Sequence, residues 1–397
     1  MANRIQAAVV GIGHSPVHRR DDVPLGLLAL DACRQAIADA GLKPADIDGI
    51  CSNPEQGFEG NGIRDGFNVA NLDSIARGLG MDTRWALRVF SSTTVKAMAA
   101  AIHAVSVGAC NHALVFRAIH NPAGRYGHVD PKFISGDGTA GMQGEFSVPY
   151  GVTPPANAAF LATQYFQRYG ATREDLGAFI TRNRDQALLW ERGFWSQHRP
   201  ERLTLEAYLG ARMVAEPLTM YDCDLPVQAC GAWVVTTPER ARDLPHPPAY
   251  VLGVSVAEPA IPNRPWTLED FEAGARKSGR ILYENSGLEP KDVDVANLYD
   301  GFSIFPPIWL EGLGFAEPGE GLKALGKGVA PIGNVALNTS SGNLGHGRMP
   351  GVAQVTESVL QIMGRSGPRQ IEDARVTLAS VGVCVDGHVL AFGKEPA

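Results

Sequence analysis

A short motif occurs twice in the chain, and this repeat constrains the fold more than any other feature. Residues 41–48 read Gly-Leu-Lys-Pro-Ala-Asp-Ile-Asp, and residues 287–294 read Gly-Leu-Glu-Pro-Lys-Asp-Val-Asp. The glycine, leucine, proline and two aspartates match without a gap at one offset of 246 positions (287 − 41). Each copy follows an apolar strand and a long amphipathic helix and precedes another strand. The repeat therefore predicts a duplicated βαβ unit.

Strands alternate with helices around both copies, which favours parallel strand pairing in a layered α/β fold. The first half is predicted to contain a strand at 5–12, a helix at 24–41, an Ala-rich helix at 91–108 and a strand at 112–118. Its counterparts are a strand at 250–256, a helix at 267–284, a helical region at 340–364 and a strand at 375–383, with a closing strand at 387–393. We therefore predict a duplicated five-layer αβαβα fold whose helix N-termini meet at a pseudo-twofold axis.

Composition changes after residue 118, where glycine, proline, arginine and aromatic residues become frequent. We interpret 119–217 as an inserted loop or lid subdomain. The first half then comprises 1–118 and 218–245, and the second half comprises 246–397.

Charge and cysteine usage exclude several classes of protein. The net charge is −7 and basic runs are absent, which argues against general nucleic-acid binding. Six cysteines lie without a CxxC pair, so neither a zinc site nor a disulfide framework is expected. The sequence shows no signal peptide and no run of 18 apolar residues. We expect a cytoplasmic protein without a membrane span.

The turn Tyr299-Asp300-Gly301 is the strongest candidate site. It follows the short apolar stretch 295–298, which is predicted to be a buried strand. A phenol and a carboxylate at the end of such a strand lie where α/β folds usually keep their chemistry. Packing of the tyrosine under a loop, with the aspartate starting a helix, is an equally good interpretation of this stretch alone.

Several motifs together resemble the thiolase superfamily. They are Val-Val-Gly-Ile-Gly at 9–13, the repeat at 39–48, Tyr-Asp-Gly-Phe-Ser at 299–303, Asn-Thr-Ser-Ser-Gly-Asn-Leu-Gly-His-Gly at 338–347 and the closing strand. The stretch 116–127, Phe-Arg-Ala-Ile-His-Asn-Pro-Ala-Gly-Arg-Tyr-Gly, is similar to the sterol-carrier-linked, lipid-transfer-protein branch. The resemblance spans nearly the whole chain.

The resemblance places the thiolase nucleophile at Ser91, beside Ser92, where this chain has no cysteine. A serine without an adjacent base makes an acyl-enzyme doubtful. Cys384 lies near the position of the second thiolase cysteine, and we expect it either to pack in the core or to contact substrate. The family's Gly-His-Pro-Leu-Gly is altered to Gly-His-Gly-Arg-Met-Pro-Gly at 345–351, so either His346 or Arg348 could face the pocket.

Loss of the nucleophile with retention of the pocket is similar to the steroid side-chain-cleaving aldolases of this branch. The resemblance implies retro-aldol cleavage of a β-hydroxyacyl-CoA thioester, with Tyr299 as acid/base, Asp300 orienting it, and His346 or Arg348 holding the enolate. His120 and Arg125 could line the substrate channel. The resemblance also implies a homodimer, a small zinc-ribbon/OB-fold partner and no cofactor, since CoA belongs to the substrate.

Two other functions are compatible with the sequence. One is an acyltransferase or degraded thiolase that uses Ser91 or Cys384. The other is a non-catalytic chain that binds acyl-CoA or another protein. The pair Asp222 and Asp224 superficially resembles a cation loop, but its ligand positions stop there, and no metal is expected.

Overall fold

The computed structural model describes residues 5–19, 23–53, 70–89, 93–119, 152–256 and 266–396. Its strands are β1 (Ala8–His14), β2 (Gly49–Ser52), β3 (Trp85–Arg88), β4 (His112–Ile119), β5 (Met213–Ala215), β6 (Leu218–Thr219), β7 (Ala229–Thr236), β8 (Ala249–Ser255), β9 (Val295–Asn297), β10 (Ala336–Leu337), β11 (Val376–Val381) and β12 (His388–Gly393). Its helices are α1 (Leu25–Asp39), α2 (Leu72–Leu79), α3 (Thr94–Ser106), α4 (Pro154–Tyr169), α5 (Arg173–Leu188), α6 (Phe194–His198), α7 (Leu205–Leu209), α8 (Pro238–Ala241), α9 (Leu268–Ser286), α10 (Phe305–Gly312), α11 (Gly321–Lys327), α12 (Gly342–His346) and α13 (Val352–Met363). Within these ranges no helix combines the length and apolar character needed to cross a membrane.

The main sheet has the strand order β10-β9-β11-β12-β8-β1-β7-β4-β2-β3. Read outwards from the central β1–β8 pair, the two sides have the same connectivity, with β1, β7, β4, β2 and β3 matching β8, β12, β11, β9 and β10. The central pair is antiparallel and joins only Ala8 with Tyr250 and Val9 with Ala249. The predicted duplication is therefore confirmed by the topology.

The helices form layers on both sides of this sheet. Helix α1 packs on β1, β7 and β4, whereas α9 packs on β8 and β12. Between the halves, α3 contacts β4 and β12, and α13 contacts β11, β9 and β8. The N-termini of α3 and α13 meet, because the Thr94 hydroxyl donates to the Pro350 carbonyl over 2.8 Å. The predicted layered thiolase-like architecture is confirmed.

The sequence repeat has the same structural function in both halves. Gly41 and Gly287 both adopt positive φ, at 71° and 72°, a conformation that favours glycine. Asp48 accepts the backbone N–H groups of Asn111 and His112, which begin β4. Asp294 likewise accepts those of Arg375 and Val376, which begin β11.

The helical region at 340–364 differs from its counterpart, because it forms two helices instead of one. Gly347 and Gly351 adopt φ values of 111° and 89°, and Pro350 lies between them. Neither positive φ fits an α-helix, so the chain breaks between α12 and α13. This break leaves His346 at the end of α12 and Arg348 in the loop that follows it.

The described part of the predicted insertion is mostly helical. Helix α5 packs on α7, α11 and α12, and α4 contacts α9. The insertion therefore lies against second-half elements that surround the turn at 299–303. The domain boundaries themselves stay a prediction.

Candidate active site

The turn after β9 holds Tyr299 with its backbone and its ring. Its N–H donates to the Ser380 hydroxyl over 3.1 Å. Its ring stacks on Phe305, with centroids 6.1 Å apart and an interplanar angle of 13°. The side chain is almost fully enclosed, with 9% of the residue's surface exposed. Two elements of the second half thus fix the phenol in one orientation.

Gly301 is needed in this turn for its size. Gly301 has no positive φ, so the turn does not depend on the backbone freedom of glycine. A β-carbon at this position would lie 2.5 Å from the Tyr299 hydroxyl oxygen. The hydroxyl therefore lies directly over the Gly301 backbone, and any side chain there would displace it.

The segment 222–224, which follows the insertion, is hydrogen-bonded to the same turn. The Asp224 N–H donates to the Gly301 carbonyl over 3.1 Å, and the Ser303 N–H donates to the Asp222 carbonyl over 3.0 Å. The buried Asp222 carboxylate accepts hydroxyl hydrogen bonds from Tyr208, Thr219 and Ser303. Asp222 thus has a structural role, because it connects its own segment to the turn at 299–303. Among the described residues no cluster of His, Cys, Asp or Glu could hold a metal ion.

Four charged side chains act on the phenol of Tyr299. Burial raises its pKa far above the usual range, and the carboxylates of Asp224 and Asp300 add to this effect. The guanidinium groups of Arg348 and Arg117 lower the same pKa. The phenol is consequently protonated in the resting site, and both carboxylates and guanidinium groups lie near it.

Asp300 was expected to orient Tyr299, but its hydrogen bonds are made with other residues. Its carboxylate accepts the N–H groups of Asn343 (2.6 Å) and Leu344 (3.2 Å), and the Gln354 amide at 3.0 Å. It therefore caps α12 and connects this helix to α13. Burial raises the pKa of Asp300 to about 8, although these donors oppose the shift. Its hydrogen bonds therefore orient α12, and only its ionised form adds to the raised pKa of Tyr299.

Asn343 links the two carboxylates near the phenol. Its backbone N–H binds Asp300, and its side-chain amide donates to Asp224 Oδ2 over 3.2 Å. Asp224 is buried, with 3% of its surface exposed. The first turn of α12 thus holds Asp224 beside Tyr299.

His346 is paired with a histidine of the first half. The Nδ1–H of His14 donates to the Ser15 carbonyl over 2.6 Å, so His14 Nε2 accepts from His346 Nε2 over 2.6 Å. Burial lowers the pKa of His14 to about 4 and that of His346 well below its usual value. Both rings are therefore neutral. The Nδ1 atom of His346 has no hydrogen-bond partner among the described residues.

The two alternatives at 345–351, His346 at the end of α12 and Arg348 in the loop that follows, have different neighbours. Arg348 is half-buried, and its N–H donates to the Leu225 carbonyl over 2.7 Å. Its charge acts on Tyr299, whereas His346 faces His14 and Trp190, whose ring centroid lies 5.1 Å away.

Cys384 lies in the hydrophobic core. It has no exposed surface, and its thiol is 3.9 Å from the Phe305 carbonyl oxygen. Burial raises the pKa of this thiol well above its usual value, which disfavours the nucleophilic thiolate. This position favours the packing interpretation over contact with substrate.

The other expected substrate-binding residues, Ser91, Ser92, His120 and Arg125, lie outside the described residues. The residue after Ser92 is nevertheless informative. A β-carbon on Gly382 would lie 2.5 Å from the Thr93 methyl group, so the start of α3 lies beside the end of β11. Because Ser380 of the same strand binds Tyr299, both halves of the chain contribute to one region.

Three residues of the site were not identified from the sequence. Asp224 was considered only as part of a cation loop. Arg117 is a charged residue in an otherwise apolar strand, and it is 1% exposed; this break in the apolar pattern was the available signal. His14 follows an apolar strand and gave no comparable signal.

Comparisons with known proteins agree with this architecture. A family model described as thiolase C-terminal domain-like matches residues 260–391. The 17-hydroxy-3-oxo-4-pregnene-20-carboxyl-CoA lyase of Mycobacterium tuberculosis is 31% identical, over 97% of this chain and 99% of the relative. A steroid side-chain-cleaving aldolase of Thermomonospora curvata is also 31% identical, over 98% of both chains.

A solved structure and a more distant relative give the same result. The structure titled Ltp2-ChsH2(DUF35) aldolase matches with a TM-score of 0.83 and 28% identity, over 98% of this chain and 97% of the other. An acetyl-CoA acetyltransferase of Methanothermobacter thermautotrophicus is 29% identical over 93% of this chain and 94% of the relative. The chain belongs to the thiolase-like, sterol-carrier-protein-related family that includes the steroid side-chain-cleaving aldolases.

Proposed function

We propose that the chain is a carbon–carbon lyase that cleaves a β-hydroxyacyl-CoA thioester by a retro-aldol reaction. The observation that carries this proposal is the enclosed phenol of Tyr299, which lies among the charges of Asp224, Arg348 and Arg117. A thiolase reaction needs a thiolate, and the buried Cys384 thiol has a raised pKa. Acid–base chemistry at Tyr299 fits the described residues better than acyl transfer through Cys384.

The reaction requires two proton transfers and one carbon–carbon cleavage. Removal of the β-hydroxyl proton lets that oxygen form a carbonyl while the Cα–Cβ bond breaks. The bonding electrons pass into the thioester as an enolate, which then takes a proton at Cα. Positive charge or hydrogen-bond donors near the thioester oxygen stabilise the enolate.

We assign the proton transfers to Tyr299. Because its pKa is raised, the phenol can take the β-hydroxyl proton only as its own proton leaves. Asp224 is the carboxylate whose charge acts most strongly on the phenol, and it is the acceptor that we propose. Arg348 supplies positive charge for the enolate. The backbone N–H groups of Asn343 and Leu344 in α12 do not stabilise the enolate, since they already donate to Asp300.

The substrate and partner are proposed from the relatives. Both lyase relatives are named for steroid substrates, so we propose a steroid-like acyl group on CoA. The structural relative is an aldolase complex with a DUF35 chain, and we propose a partner of this zinc-ribbon/OB-fold kind. We also propose a homodimer in the cytoplasm. The reaction as written consumes no cofactor.

The test is turnover of a β-hydroxyacyl-CoA, with and without a DUF35-type partner, measured as carbonyl product plus shortened acyl-CoA. Tyr299→Phe should lower kcat by about 100-fold or more, in the range of a lost general acid–base group. The matched control is Tyr283→Phe, which removes the hydroxyl of a half-buried tyrosine that donates to the Leu313 carbonyl. Ser91→Ala and Cys384→Ala should retain turnover.

The alternatives give different results in the same assay. A covalent acyl adduct after acid quench, together with loss of turnover in Ser91→Ala, would replace the proposal by acyl transfer. Absence of turnover by the unmutated chain with its partner would favour a binding subunit.

A further inference from the structure

A small cavity of about 40 Å³ lies between the insertion and the segment that carries Asp224. Helices α5, α6 and α12 line it, together with residues of the segment 220–225. Cys223 and Leu225 belong to the lining, whereas Asp224 between them does not. Cys223 is extended and bridges to Phe302, and side chains alternate between the two faces of an extended segment. The cavity therefore lies behind Asp224, on the face opposite to the proposed cleavage site.

The lining contains one guanidinium group, that of Arg184 on α5. Its central carbon lies 3.4 Å from the ring centroid of Trp195 and 5.6 Å from that of Tyr221. The face of the guanidinium is thus stacked on the indole. Stacking uses this face and leaves the N–H groups, which lie at the edge of the planar group, available to an acceptor.

The charge of Arg184 is buried without a counter-ion. The residue is 8% exposed, and it makes no hydrogen bond or ion pair with any residue that the structure describes. Burial lowers its pKa to about 10, opposed only by the charges of Tyr221 and of the exposed Glu201. Buried charges are usually paired. The guanidinium nitrogens are not fully enclosed, so an anion in the cavity can reach them.

The rest of the lining restricts the kind of anion. A single guanidinium balances one negative charge, and its fork matches the two oxygens of a carboxylate. The neighbouring side chains of Ile180, Leu225 and Leu344 are apolar, and the cavity has little volume beyond that of a carboxylate. Met220 is the most exposed residue of the lining, at 42%. A larger ligand therefore extends outwards beside Met220, where it meets another apolar side chain.

We propose that this cavity binds the carboxylate of an organic acid with an apolar body, held by the Arg184 guanidinium on the Trp195 ring. The site does not depend on the proposed cleavage reaction, because it lies on the other face of the segment 223–225.

Trp195 provides a local signal for the test. Its indole N–H donates to the Leu344 carbonyl over 2.8 Å, so both groups belong to the cavity wall. The full chain, labelled with ¹⁵N, is titrated with hexanoate at pH 7 and constant ionic strength against chloride. Among the six tryptophans, the indole signal of Trp195 is the one that is lost in Trp195→Phe. This signal should shift saturably with hexanoate and stay unchanged with hexanamide, which has the same chain but no charge.

Arg184→Gln should weaken hexanoate binding by about tenfold or more, the loss expected for hydrogen bonds to a charged group. Arg184→Lys, which keeps the charge but loses the planar fork, should weaken it less and serves if the glutamine variant does not fold. Acetate should also bind about tenfold or more weakly than hexanoate, because it lacks the apolar chain.

Arg212→Gln is the matched control, because Arg212 is an exposed guanidinium close to Cys223 that does not line the cavity. It should bind hexanoate within about twofold of the unmutated chain. Absence of a shift, an equal shift with hexanamide, or unchanged affinity in both Arg184 variants overturns the proposal. Equal affinity for acetate and hexanoate overturns the assignment of an apolar body.

Discussion

At the scale of single residues, the site is organised by charges that oppose one another around a phenol. Asp224 and Asp300 raise the pKa of Tyr299, and Arg348 and Arg117 lower it. Removal of one charged neighbour can therefore either lower or raise the pKa of this phenol.

Asp224→Asn and Arg348→Gln should shift the pKa of Tyr299 in opposite directions. Loss of the carboxylate lowers the pKa of Tyr299, whereas loss of the guanidinium raises it. We expect the onset of tyrosinate absorbance at alkaline pH, taken as the difference from Tyr299→Phe, to begin at lower pH in the first variant and at higher pH in the second. This titration needs no turnover, so it can be measured although Asp224 is the proposed proton acceptor. Shifts of the same sign would contradict the assignment.

Asp300 is expected to matter mainly for stability. In Asp300→Ala the N–H groups of Asn343 and Leu344 and the Gln354 amide lose their acceptor. Unpaired buried donors cost about 1–3 kcal/mol each, so the free energy of unfolding should fall by roughly 2–5 kcal/mol in chemical denaturation. A variant as stable as the unmutated chain, but without turnover, would instead show a direct role in catalysis.

The sequence identified part of this site because the motif around Tyr299 is continuous along the chain. Asp224 comes from the segment that follows the insertion, and Arg117 comes from β4. Only the pairing of residues 222–224 with 301–303 brings Asp224 to the phenol. His14 and His346 are 332 positions apart. Such contacts depend on tertiary packing, which local patterns do not encode.

At the scale of elements, the repeat explains why both halves fold alike. Each copy ends on an aspartate that accepts two N–H groups at the start of the strand that pairs with the one following the motif, β4 beside β2 and β11 beside β9. The motif thus fixes where β4 and β11 begin. The sequence predicted this equivalence but not the division of 340–364 into two helices, because that break depends on the backbone angles of Gly347 and Gly351.

Asp48→Ala and Asp294→Ala should destabilise the chain by similar amounts. Each leaves two backbone N–H groups without their acceptor, so we expect a loss of roughly 1–3 kcal/mol in urea denaturation. Asp46→Ala and Asp292→Ala are the matched controls. These exposed residues each accept a single backbone N–H in their turn, and their loss should cost about 0.5–1 kcal/mol. Equal effects at all four positions would contradict the proposed function of the repeat.

At the scale of the whole molecule, the fold was predictable because the chain is duplicated, so the order of helices and strands in one half predicts that in the other. Helix and strand periodicities occur twice in the same order, and the sheet reproduces this order on both sides of the β1–β8 pair. The way the insertion attaches was not predictable. It uses single polar contacts, such as the hydrogen bond from Tyr165 of α4 to Glu311 of α10, and these contacts leave no periodic pattern.

Glu311 makes this attachment sensitive to pH. Its Oε1 also accepts the Gly321 N–H at 2.9 Å, while its buried Oε2 has no hydrogen-bond partner among the described residues. Burial raises the pKa of Glu311 to about 7 from 4.5. Since the folded state disfavours the charged form, this group destabilises the fold progressively as the pH rises from 4.5 to 7, and by a constant amount above 7.

Glu311→Gln should remove this dependence, because the glutamine carbonyl can keep both hydrogen bonds and carries no charge. We expect unfolding free energies of the variant and the unmutated chain to agree near pH 4. Above pH 7 the variant should be more stable by roughly 1–2 kcal/mol, a value reduced from the full shift because the group is partly exposed. Glu284→Gln, which removes an exposed ion pair with Arg280, should alter stability by less than about 0.5 kcal/mol at either pH. A Glu311→Gln difference that does not grow between pH 4.5 and 7 would show that Glu311 is fully ionised in the folded chain, and that the insertion is held by a charged contact.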